Sequence, residues 1–290
     1  MMSLLGARGS AVVLVLTAMA LFTLSDATSK LLLATLNPLQ VAWVRYFGLM
    51  IVLAPMLAVR PALLRTANLT RQLIRGAGIL LSALFFMIAL TYLPLADATV
   101  LVFVTPFFVT LLSILMLGEK VGWRAWIGVA GGFVGVLIVM RPGTSAFQPA
   151  MLFPLLSSAA WAVVVVFTRR LLETDRTETS LFYTAAVGFA VLTAIARPDT
   201  IGLASSDYVT SAVMVLSWCG AQWTFIIAYR TATASELAPY SYSRLPYSIV
   251  LGFVMFGTLP DGGALLGSAV IIASSIYSLY LNEAPTPPQK

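Results

Sequence analysis

The sequence predicts an all-α, polytopic membrane protein with ten transmembrane helices arranged as two inverted five-helix repeats. Three observations carry this. The 290 residues are 60% hydrophobic and only 10% charged, with a mean hydropathy of +0.95, too few charges to cover a soluble surface. Ten apolar stretches follow one another between Ser10 and Leu281, each near the ~20 residues a helix needs to cross the hydrocarbon core. The second five stretches repeat the first at a displacement of about 140 residues. Because five is odd, the second copy must enter the membrane from the opposite side.

The stretches of the first half are Ser10–Ala34, Pro38–Val59, Gly76–Leu93, Ala96–Gly118 and Trp123–Met140. Those of the second are Pro149–Thr168, Glu178–Ala196, Asp207–Tyr229, Glu236–Thr258 and Gly262–Leu281. The organisation is therefore a first repeat over 1–145, a second over 146–283, and a disordered tail over 284–290. In that tail Pro285, Pro287 and Pro288 forbid a helix. The first stretch is too long for a signal-peptide core and is expected to stay as an uncleaved span. Short connections make consecutive helices antiparallel.

Orientation follows from the basic residues. With the N-terminus in the cytoplasm, 12 of the 17 Lys and Arg residues fall on inner segments, only Arg141 and Arg197 fall outside, and Lys30, Arg45 and Arg244 lie within spans. The positive-inside bias puts both termini in the cytoplasm. A bacterial inner membrane is the expected location. The net charge of +6 is thus a topology signal rather than a nucleic-acid footprint.

The repeat shows in single residues. Pro106 and Pro246, like Gly48 and Gly188, are 140 apart; Phe22 and Trp161, Lys30 and Arg169, and Gly128 and Gly267 are 139 apart. Inverted halves meeting at mid-bilayer are the footprint of a secondary transporter, with its site between the halves.

Ionisable groups inside spans cost about 2.5–3.5 kcal/mol on insertion scales and usually serve function. Asp26 and Lys30 share a helical face, and Arg45 lies at matching depth, so an Asp26–Lys30–Arg45 cluster is expected. It reads either as a carboxylate or proton site or as an ion pair that locks two helices. Arg244 lies eight residues into the ninth span, on a stripe with Tyr240 and Tyr247, where rings and a guanidinium fork could clamp a carboxylate. Pairing with Glu236 is the structural alternative. Trp218, Gln222, Phe225 and Tyr229 form a second stripe; Ser157 with Trp161, Phe85 with Tyr92, and Thr99 with Phe103 and Pro106 share faces elsewhere. Each alone suits helix packing; together, rings interleaved with hydroxyls favour an amphipathic aromatic solute. Asp97 is expected to cap the fourth helix.

The chain lacks His and has one cysteine, Cys219, so zinc sites, disulfides and Cys–His chemistry are not expected. Gly118-Glu119-Lys120 lacks the upstream glycine of a phosphate loop. The chain is accordingly read as a non-enzyme without cofactors, moving a small molecule without direct use of ATP. Overlapping glycine pairs, Gly128–Gly132 and Gly131–Gly135, with Gly263–Gly267, suit close helix approach and a homodimer surface.

Several runs resemble a known family: Asp26-Ala27-Thr28-Ser29-Lys30, Val44-Arg45-Tyr46-Phe47, Ala89-Leu90-Thr91-Tyr92-Leu93-Pro94, Thr105-Pro106, Leu117-Gly118-Glu119-Lys120, and the glycines from Gly128. The chain resembles EamA-type exporters of the drug/metabolite transporter superfamily over nearly its whole length, and looks most like YddG-type exporters of aromatic amino acids. The second copy departs from the pattern with Thr258-Leu259-Pro260. The resemblance implies export of amphipathic amino acids; the inverted halves imply alternating access, with Pro106 and Pro246, which occupy matching places in the two halves, as hinges. Exporters of other metabolites or small drugs, and a non-transporting receptor or assembly subunit, are the alternatives.

Overall fold

A computed structural model describes residues 2–117, 123–171, 174–196, 205–231 and 240–282, with Gly202 and Leu237. Among these every regular element is helical: α1 Met2–Leu32, α2 Pro38–Val59, α3 Leu69–Tyr92, α4 Leu95–Val102, α5 Thr105–Leu117, α6 Trp123–Met140, α7 Leu152–Leu171, α8 Thr177–Ile195, α9 Ser205–Thr231, α10 Arg244–Phe256 and α11 Gly262–Asn282. Seven segments are long and apolar enough to cross a membrane: Ser10–Leu32, Pro38–Val59, Leu69–Tyr92, Leu95–Met116, Pro149–Thr168, Thr177–Ile195 and Asp207–Ala228. Ala130–Met140, Arg244–Phe256 and Gly262–Ser274 are shorter apolar helices. The expected tail, and Glu119 and Glu236, lie outside the described residues.

Local chemistry sets the helix ends. Asn37 caps α2 in a reciprocal box with Gln40, and Pro38 takes the first-turn position where its missing N–H costs nothing. Asn68 accepts from the Arg71 amide to start α3, and Pro94 separates α3 from α4. Gly257, at φ 66°, ends α10 with amide bonds back to Gly252 and Phe253. Asp261 accepts from the Ala264 amide to start α11 and holds Arg141 at 2.7 Å.

The packing is interdigitated. α1 packs chiefly on α9, α3 on α7, α6 on α11, α2 on α8 and α4 on α10. Leu, Val, Ile, Phe and Trp exposed along α2, α6, α9 and α10 suit a surface solvated by lipid.

Two expectations are corrected. The fourth stretch is broken, α4 ending and α5 beginning around Phe103–Val104, and the ninth is broken by a turn at Tyr242–Ser243, between helical Tyr240 and Ser241 and the start of α10 at Arg244. Pro106 and Pro246 therefore sit in the first turns of α5 and α10 rather than mid-helix. Gly131 and Gly135 are also not on a free surface. A Cβ on Gly135 would lie 2.5 Å from Ile271 Cγ1 and 2.8 Å from the Gly267 carbonyl, and one on Gly131 would lie 2.2 Å from Ser274 Oγ. These glycines face α11 within the same chain.

Candidate functional site

Three charges from within the spans, Asp26, Arg45 and a partly exposed Arg244, meet where both halves of the chain contribute. Asp26 on α1 is 6% exposed and Arg45 on α2 is 3% exposed. Arg45 Nη2 lies 3.6 Å from Asp26 Oδ1 and donates to Ser29 Oγ. Arg244, the first residue of α10, donates from Nη2 to the other carboxylate oxygen, Oδ2. One carboxylate is thus divided between two guanidinia. Sharing Asp26 offsets part of the cost of holding both guanidinia inside an apolar bundle.

Rings surround it. The Arg45 guanidinium lies 5.6 Å from the Trp218 ring, and that of Arg244 lies 5.4 Å from Phe86 and 6.0 Å from Phe22. Phe22, Trp161 and Phe225 form an edge-on triangle with centroids 6.0–6.4 Å apart. Ser25 ties α1 to α9 by donating to the Met214 carbonyl at 3.0 Å.

The site holds polar capacity it does not use. Arg45 Nε, Arg244 Nε, Gln222 Nε2 and Ser243 Oγ are buried without a hydrogen-bond partner among the described residues. Ser243 immediately precedes α10, whose first turn carries the positive end of the helix dipole. Unpartnered donors beside a helix N-terminus are chemically suited to an anionic group.

Not every predicted residue joins. Lys30 is one turn from Asp26, yet its ammonium donates to the Leu90 and Leu93 carbonyls at the end of α3 and lies 5.6 Å from the Phe256 ring. Its long stem lets it cap a neighbouring helix, so the expected Asp26–Lys30–Arg45 cluster is instead Asp26–Arg45–Arg244. Asp97 lies in the first turn of α4, but the residue preceding that helix is Pro94 and no side chain caps it. Tyr240 is 41% exposed; the turn at Tyr242–Ser243 breaks the stripe that was to align it with Arg244. Tyr247 packs half-buried against the core. Tyr92 is 64% exposed at the end of α3, while Phe85 stacks on Phe153 and Ser157 bonds Ser82. The Thr99 hydroxyl turns back to the Leu95 carbonyl, and Phe103 meets Tyr242 edge-on at 5.2 Å. Trp218, Gln222 and Trp161 do lie on the site's elements. The sequence reading missed Phe86, Ser29 and Ser243, and used Phe22 only as a repeat marker. The position of Phe22 one turn before Asp26 was the available signal.

A second polar network joins α3, α7 and α8. Arg75, read as a loop residue, is buried in α3 and donates to Thr168 Oγ, the Ser180 carbonyl and Thr184 Oγ at 2.7–3.2 Å. In the α7–α8 connection Asp175 accepts from Thr66, the Ala67 amide and Gln72. Burial opposes the Asp175 charge, but these donors outweigh it and hold the carboxyl below its ordinary range.

Comparison with known proteins agrees with this architecture. The profile of the EamA-like transporter family matches residues 9–141. The S-adenosylmethionine uptake transporter of Rickettsia prowazekii is 26% identical over 261 residues, 89% of this chain and 88% of that protein. The riboflavin transporter of Rhizobium johnstonii is 30% identical over 224 residues, 74% of this chain and 72% of that protein. The pseudopaline exporter of Pseudomonas aeruginosa is 27% identical over 279 residues, 92% of this chain and 95% of that protein. One solved crystal structure shares the fold, with a TM-score of 0.66 at 20% identity, covering 96% of this chain and all of that one. These relatives correct the narrower resemblance: they are named for S-adenosylmethionine, riboflavin and pseudopaline, not for aromatic amino acids. With a relative at 30% identity aligned across most of both proteins, and seven membrane-length helices beneath it, the chain belongs to the EamA-like transporter family and is a multi-pass membrane transporter.

Proposed function

We propose that the chain is a secondary transporter that carries a small amphipathic metabolite, one bearing a ring and a carboxylate, across a bacterial inner membrane by alternating access. The observation that carries this reading is the ring-lined Arg45–Asp26–Arg244 cluster, buried between helices of both halves and holding unpartnered donors. A static ion pair would need neither the spare donors nor the aromatic wall. The relatives' names widen the solute class beyond aromatic amino acids to larger ring-bearing metabolites. They include uptake proteins as well as an exporter, so the expected direction, export, gains no support from them.

Inverted five-helix repeats with both termini inside remain part of the proposal. The helix pairing supports them: exchanging each span with its counterpart five places on turns α1 on α9 into α7 on α3, and maps α4 on α10 onto itself. The breaks before Pro106 and Pro246 lie 139 residues apart and are the natural bending points. A homodimer, if formed, uses a face other than Gly131 and Gly135.

Counterflow in proteoliposomes tests the function, with a panel spanning aromatic and threonine-like amino acids, riboflavin, S-adenosylmethionine and nucleosides at two pH gradients. The wild type should exchange at least one ring-bearing carboxylate. Arg244→Ala should weaken uptake of carboxylates while sparing their uncharged analogues. Equal loss of both would give Arg244 a structural task, and no exchange of any solute would end the proposal.

A further inference from the structure

The cluster's charges do not balance among themselves. Arg45 and Arg244 bring two positive charges and Asp26 one negative. Lys30 lies one turn away, but its ammonium is turned away from the cluster and donates to the α3 carbonyls of Leu90 and Leu93. Among the described residues the site is therefore left at +1. Its geometry matches that sum: Asp26 engages one terminal nitrogen of each guanidinium, while Nε of both Arg45 and Arg244 stays unpartnered. A side-on fork uses Nε together with a terminal nitrogen, so both forks are half filled. The cluster is one carboxylate short.

We propose, resting on the transport reading above, that Asp26 sets the charge selectivity of the site. Its single negative charge reserves the pocket for solutes of net charge −1. A monoanion completes the forks and brings the site to neutrality, which a low-dielectric interior favours. A zwitterion fills the forks but leaves its ammonium without an acidic partner, because Asp26 is already shared by two arginines. A dianion overshoots, and a neutral amide leaves the +1 uncompensated. Free amino acids are thus poorer ligands than ring-bearing acids lacking an ammonium, such as N-acylated or deaminated counterparts.

The test uses four solutes on one scaffold: phenylpropionate, phenylalanine, phenylpropionamide and phenylsuccinate. Binding is read on the full chain in detergent as protection against heat, and transport as counterflow. The wild type should bind phenylpropionate best. In Asp26→Asn the site becomes +2, and preference should move toward phenylsuccinate by about tenfold or more, given the cost of unbalanced charge at this depth; Asp26→Glu should keep the wild-type order. Arg45→Gln shifts the sum the other way, to zero, and should raise phenylpropionamide to parity with phenylpropionate. Phenylalanine bound as well as phenylpropionate by the wild type, or an unchanged order in either neutralised variant, overturns the proposal. The wild-type ranking decides even if a variant does not fold. Where the order fails while counterflow of some solute persists, only the charge rule falls. Where no solute binds or moves, the transport reading falls with it.

Discussion

Gly135→Ala should destabilise the protein, while Gly132→Ala, three residues away on α6, should not. An added Cβ at Gly135 would stand 2.5 Å from Ile271 Cγ1, 2.8 Å from the Gly267 carbonyl and 3.0 Å from the Ile271 amide nitrogen. Two of these three are backbone atoms and cannot rotate away. α6 and α11 must therefore separate by several tenths of an ångström along a seam where, in return, a Cβ on Gly267 would stand 2.7 Å from the Gly135 carbonyl. Overpacking of this kind costs about 1–3 kcal/mol. At Gly132 an added Cβ meets nothing within 4 Å, and alanine there gains about 0.5–1 kcal/mol of helix propensity. The propensity gain is common to both substitutions, so the difference between the variants isolates the packing loss at about 1–3 kcal/mol. Unfolding of both variants in detergent by a denaturing surfactant, followed by tryptophan fluorescence, measures it. Equal midpoints, or Gly132→Ala the less stable, would refute the close α6–α11 approach and return these glycines to the surface.

Two other expectations concern polar locks away from the charge cluster. Asp175 has a folded-state pKa below its ordinary value, so it contributes stability above about pH 4 that is lost as the pH falls through the lowered folded value. Asp175→Asn should then cost about 1–3 kcal/mol near neutrality, with the gap to wild type closing in acid; a pH-independent gap would contradict the charged-acceptor role. Pro106 has no N–H for the Val102 carbonyl, which accepts instead from Thr105 Oγ at 2.6 Å and lies 3.1 Å from Ser158 Oγ. Ser158→Ala should cost about 1 kcal/mol, and Ser158→Ala with Thr105→Val more than the sum of the two singles, because only the pair leaves the carbonyl orphaned. Additive losses would refute that sharing.

What the sequence made legible follows from what a helix period can encode. Asp26, Arg45 and Arg244 stood out because charge inside an apolar stretch is costly, a rule that needs no neighbours. Their grouping was partly misread because Lys30 and Arg244 chose partners on other helices, Leu90 and Leu93 in one case and Asp26, 218 residues away, in the other. Tyr240 was aligned with Arg244 by counting along a continuous helix, and the turn at Tyr242–Ser243 cancels the count. The prolines signalled the breaks correctly in number, but a proline belongs comfortably in a first turn, so the break falls before it rather than at it.

Phe22 and Trp161 are 139 residues apart and their rings meet at 6.4 Å; Phe103 and Tyr242 are also 139 apart and meet at 5.2 Å. On the inverted-repeat reading, a residue can touch its own counterpart only beside the axis relating the halves. That axis therefore runs past the two helix breaks, with Asp26 one turn beyond Phe22 and Arg244 two residues beyond Tyr242. The charges, however, do not repeat. At the same displacement Asp26 corresponds to Val165, Arg45 to Thr184 and Arg244 to Thr105. On the proposed duplication, the two halves would share a central position, and divergence of one copy at each point would leave a lopsided charge pattern. A symmetric pocket would offer an asymmetric solute two equivalent poses. On the proposed reading, the arginines and Asp26 would permit one, with the carboxylate toward α2 and α10 and the ring toward Phe22, Trp161 and Phe225.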